Sequence, residues 1–65
     1  MQLVVNGAKE SCDCATLAAL VAARGLKQES LVIELNGMIV KQEQWQATGL
    51  KDGDQVELLN FVGGG

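Results

Sequence analysis

Three successive glycines, Gly63, Gly64 and Gly65, end the sequence behind a strand-like run from Gln55 to Val62. Without Cβ atoms such a stretch is thin and conformationally free, suited to a groove too narrow for side chains. The α-carboxylate expected on Gly65 is ionised at neutral pH, because such a group titrates near ~3.5. Fully extended, residues 61 to 65 reach at most about 17 Å at ~3.4 Å per residue, enough to enter another protein's active site. The chemistry on offer is therefore that of a bare carboxylate presented at the tip of a flexible arm. The plainer alternative is a frayed end, common at chain termini. The glycines are no phosphate cradle, since no helix follows whose N-terminus would bind an anion.

The remaining reactive side chains are few. Cys12 and Cys14 are separated by one residue, and there is no histidine. A structural zinc site takes about four N or S ligands, and an iron–sulfur cluster normally takes four cysteines. Two thiols supply neither, so no metal site is expected. In a reducing compartment the pair reads as inert, partly buried thiols rather than a redox couple. With no histidine, activated nucleophile or cofactor loop, the chain is not expected to be an enzyme or to bind a cofactor.

The 65 residues make one domain near the lower size limit for folding without staples. Trp45 and Phe61 are its two aromatics, so the core must be built from Leu, Val, Ile and Ala. No stretch approaches the ~20 apolar residues that span a membrane. No signal peptide is visible at Met1-Gln2-Leu3, and the cytoplasm is the expected compartment. The net charge of −3 comes without the basic stripe typical of nucleic-acid binders. An acidic balance keeps a small domain soluble and also suits a basic protein partner.

The positioning elements follow from periodicity. Leu3 and Val5 alternate with Gln2 and Val4, and Asn6-Gly7 supplies the type I′ hairpin turn. Ala8 to about Asp13 returns as a second, more polar strand. From Ala15 to Arg24 the i, i+3, i+4 spacing of Leu17, Leu20 and Val21 predicts a helix. Thr16 or Asp13 is suited to cap its start, and Gly25 to end it in a left-handed conformation. After a polar connection, Leu31–Asn36 and Met38–Val40 form a second hairpin around Asn36-Gly37. Residues 41–49 show no clean period and are expected to wrap the sheet edge, with Trp45 covering the core or, alternatively, serving as an exposed anchor. Asp52-Gly53-Asp54 is a tight turn into the last strand. There Val56 and Leu58 point inward, and Leu59 and Phe61 share the outer face.

This order gives an α+β fold, a mixed four- to five-stranded sheet with one main helix on one face. On the open face Val4, Leu59 and Phe61, with Val62 at the root of the tail, form a candidate docking patch if the first and last strands pair centrally.

Several blocks carry a family resemblance over essentially the whole chain. Met1-Gln2-Leu3-Val4-Val5-Asn6, the Thr16-Leu17…Leu20 helix start, Ile39-Val40 followed by Glu43-Gln44-Trp45, Asp52-Gly53-Asp54 and a terminal Gly-Gly resemble the ThiS family of thiamine-biosynthesis sulfur carriers. The third glycine is a departure, and the reactive pair is matched to Gly64-Gly65 with Gly63 as extra slack. The resemblance implies a ubiquitin-like β-grasp fold spanning residues 1–65, with a flexible tail at 63–65. It implies that an E1-like adenylating enzyme of the ThiF type uses MgATP to adenylate the Gly65 carboxylate. A persulfide sulfur donor then yields a thiocarboxylate, and a thiazole synthase of the ThiG type takes the sulfur. Glycine at 64 and 65 would spare the tight groove and the reacting carbonyl from side-chain bulk. The small subunit of molybdopterin synthase and the ubiquitin-like protein modifiers share this fold and tail, and stay open as alternatives.

Overall fold

In the computed structural model, which describes residues 1–61, the apolar positions of alternating strands and one helix meet in a single core. The strands are β1 (Gln2–Val5), β2 (Ala8–Ser11), β3 (Leu31–Leu35), β4 (Met38–Val40) and β5 (Gln55–Asn60), and the helix is α1 (Leu17–Arg24). They form one sheet in the order β2-β1-β5-β3-β4. β1 and β5 run parallel at its centre, and every other pairing is antiparallel. Both Asn-Gly pairs turn as their composition dictates: Asn6 and Gly7 have φ of 50° and 84°, Asn36 and Gly37 of 52° and 85°.

One face of this sheet carries α1. Leu17, Leu20 and Val21 from the helix pack with Leu3, Val5, Leu31, Ile33 and Val56 from the strands, all of them buried. Trp45 closes the core rather than standing exposed: it is 2% exposed, and its indole Nε1–H donates to the Val40 carbonyl at 2.8 Å. The stretch around it is a 3-10 helix, Gln42–Ala47, whose period of three turns only Trp45 inward. Leu50 joins the core as well, from a polar loop whose pattern gave no sign of it.

Four element boundaries differ from the periodicity, the simplest being β3, which ends at Leu35 because Asn36 enters the turn. Helix α1 starts at Leu17, not Ala15, because residues 15 and 16 are held in an extended bridge to the loop before β5. Leu17 N–H donates to the Thr48 carbonyl at 3.1 Å, and Leu50 N–H to the Ala15 carbonyl at 2.9 Å. Thr16 is then the cap, its Oγ1 accepting from Ala19 N–H at 3.1 Å, and Gly25 ends the helix with φ of 68°. Strand β2 stops at Ser11, two residues short of Asp13, because Cys14 N–H folds back onto Cys12 Sγ at 3.1 Å. Strand β5 ends at Asn60, with Phe61 still tied to the Ser30 carbonyl by its N–H at 2.7 Å.

Candidate functional site

The strand that precedes the glycines in the sequence, β5, occupies the middle of the sheet and is the best-anchored part of the fold. β5 is paired along Leu31–Leu35 on one side and Val4–Val5 on the other. Two side-chain amides reinforce it. Asn6 Oδ1 accepts Leu58 N–H at 2.7 Å, and Asn36 Oδ1 accepts Gln55 N–H at 2.9 Å. At its end Ser30 Oγ donates to Asn60 Oδ1 at 3.0 Å, beside the Phe61–Ser30 backbone bond. The chain is thus fixed in place up to Phe61. Val62, Gly63, Gly64 and Gly65, to which the tail and part of the docking role were assigned, lie outside the described residues.

On the sheet face away from the helix, Leu59 is 41% exposed and Phe61 63% exposed, the outward parity expected of both. Leu58 is half-buried and packs against the core, as does the fully buried Val56. Val4 shares this outer face but is not their neighbour. It stands opposite Gln55, four residues before Leu59, which separates them by about 14 Å along the strand. The expectation of a Val4, Leu59 and Phe61 patch is corrected accordingly: β1 and β5 do pair centrally, but their register slides Val4 to the far end. Val32 takes its place directly across from Leu59, and Ile39 of β4 lies diagonally beyond at 67% exposure. Between them Glu34 stands opposite both Glu57 and Ile39. The signal for Ile39 was present in the sequence, since the Asn36-Gly37 turn fixes Glu34 across from it.

The two cysteines sit at the other end of the molecule. Cys12 N–H bonds the Met1 carbonyl at the start of β1, whereas Phe61 follows the far end of the parallel β5, roughly 30 Å away along the strands. Hydrogen bonding to Cys12, then burial and the electrostatic influence of the adjacent Cys12 and Asp13, push the Cys14 thiol up to about 11. A thiol held protonated in this way is a weak nucleophile at neutral pH. Among the described residues, no three Cys, Asp or Glu side chains group together as metal ligands, and no helix is long and apolar enough to cross a membrane. On the helix side, a groove of about 330 Å³ is lined by Ala18, Gln28, Gln42, Glu43, Trp45 and Gln46.

A mixed five-stranded sheet gripping one helix defines the ubiquitin-like β-grasp class. Within that class the chain belongs to the ThiS family, whose model matches residues 3–65. It is 32% identical to the sulfur carrier protein ThiS of Bacillus subtilis, over all of this chain and 98% of that one. It is 30% identical to the ThiS of Escherichia coli, with both chains fully covered. The crystal structure of a ThiS from Geobacter metallireducens superimposes with a TM-score of 0.83 at 42% identity, covering both chains completely. The chain is also 32% identical to a thiazole synthase of Paramagnetospirillum magneticum and 30% identical to one of Magnetococcus marinus. It spans about a fifth of the length of these two enzymes, 20% in each case.

Proposed function

We propose that this ThiS-family chain carries sulfur for thiamine biosynthesis, as a thiocarboxylate formed on the Gly65 carboxylate. The observation that carries the reading is the family match running through all three glycines to residue 65. A carboxylate resists nucleophilic attack, being anionic and having oxide as its leaving group. Activation answers this: a carboxylate oxygen attacks the α-phosphorus of MgATP on an E1-like enzyme, expelling pyrophosphate and leaving an acyl-adenylate. A persulfide sulfur then attacks the carbonyl and expels AMP. The product is an acyl disulfide, and attack by a thiol on the persulfide's own S–S bond releases the thiocarboxylate and leaves the donor sulfur in a disulfide with that thiol; the thiocarboxylate sulfur is a competent nucleophile.

The carrier contributes reach and grip and acts as substrate rather than catalyst. The firmly paired β5 holds the root of the arm, while Leu59, Val32 and Phe61 offer apolar surface next to it. A thiazole synthase is the proposed acceptor. Two proteins of that name include a region similar to this chain, which supports a carrier and an acceptor that work together. Removal of Gly65, or Gly64→Val, leaves the thermal melt unchanged and abolishes carrier-dependent ATP–pyrophosphate exchange by the adenylating enzyme. Normal exchange with either variant would contradict the mechanism.

A further inference from the structure

The outer face beside the tail holds an arrangement that is unfavourable in the free chain. Glu34 and Glu57 are directly opposed on neighbouring strands, half-buried and exposed respectively. Cross-strand positions of this kind are about 5.5 Å apart at Cα, and like charges there destabilise a sheet. Neither carboxylate has a salt-bridge partner among the described residues. The ion pair among the described residues is Arg24 with Glu10, and no cationic side chain lies within 4 Å of either glutamate. Val32, Leu59 and Ile39 flank the carboxylates, and Phe61 extends the same apolar face one step beyond Leu59.

We propose that this framed glutamate pair receives an arginine from the adenylating enzyme, with the four apolar side chains packing on the surface around it. The proposal rests on the reading above that such an enzyme takes the tail, and it names the chemistry by which the two recognise each other. A guanidinium spreads five donors over a planar fork and is weakly hydrated, so it can bridge two carboxylates while its stem lies on apolar surface. A second copy of this chain is a poor occupant, because two such faces would bring four carboxylates together. The enzyme that first meets the anionic tail of a net-negative chain is instead expected to present positive charge.

The test uses the full-length chain and its adenylating enzyme in ATP–pyrophosphate exchange, with the carrier concentration varied. The double variant E34Q/E57Q is compared with D13N/E43Q, which removes two charges elsewhere. The expected result is that E34Q/E57Q raises the KM for the carrier at least about tenfold and flattens its dependence on salt. Its melting temperature should equal or exceed that of the parent, so that misfolding is not the cause. A KM within about twofold of the parent, or an equal rise with D13N/E43Q, overturns the proposal. Absence of exchange with the unaltered chain would instead overturn the sulfur-carrier reading, and this inference with it.

Discussion

Asp54 is the one buried charged residue among those described, and its two oxygens tie separate turns together. Oδ1 accepts from Asn36 Nδ2 at 3.0 Å, and Oδ2 from Lys51 N–H at 2.8 Å, so the Asp52-Gly53-Asp54 turn is locked to the β3–β4 hairpin. The Asn36 hydrogen bond is the largest influence on its acidity. Together with the backbone N–H and charge of Lys51 it outweighs burial, and the pKa falls below the ordinary 3.8. A depressed carboxyl contributes stability above its unfolded pKa and loses it as pH falls through the folded value. Asp54→Ala should therefore cost about 2 kcal/mol near neutral pH, since two part-buried hydrogen bonds to a carboxylate are lost. Thermal melts of both forms check this, and the gap between them should narrow as the pH falls below the ordinary 3.8 of an aspartate. The sequence showed Asp54 as a turn residue. Its link to Asn36, eighteen positions away, depends on how the two turns pack and has no local signature.

At the scale of elements, the hairpins and the helix stripe were legible because their signals are local. Asn6-Gly7 and Asn36-Gly37 impose positive φ on consecutive residues, and Leu17, Leu20 and Val21 fall on one helical face. The start of α1 was not legible, because the Thr16–Gly49 bridge that shortens it joins segments far apart in the chain. The register of β5 escaped for the same reason. It pairs with β1 and β3 across long connections, and that pairing alone decides that Val32, not Val4, adjoins Leu59. The helix start itself yields a test. Thr16→Ala removes the acceptor for Ala19 N–H and should lower stability by about 1 kcal/mol by denaturant titration. Exchange activity should stay intact, since α1 packs on the sheet face opposite Phe61.

Considered whole, the molecule separates two tasks. Its helix-side core maintains the fold, and in the proposed reading its outer face and the strand end beside it meet the partners. Phe61 belongs to the second group at 63% exposure. Phe61→Asp should change stability by no more than about 0.5 kcal/mol, as exposed substitutions usually do, while weakening capture by the adenylating enzyme in a direct binding titration. A large loss of stability with intact binding would place Phe61 in the core instead. The α+β architecture was readable from element order and its β-grasp form from the family resemblance, whereas the composition of the docking face required the strand register. The central claim concerns the Gly65 carboxylate, and intact-mass analysis tests it most directly. The full chain, incubated with its adenylating enzyme, MgATP and a persulfide donor, should gain the mass of one sulfur in exchange for one oxygen, localised to the terminal glycine. An unchanged mass while ATP is consumed, or sulfur found on Cys12 or Cys14 instead, would contradict the account.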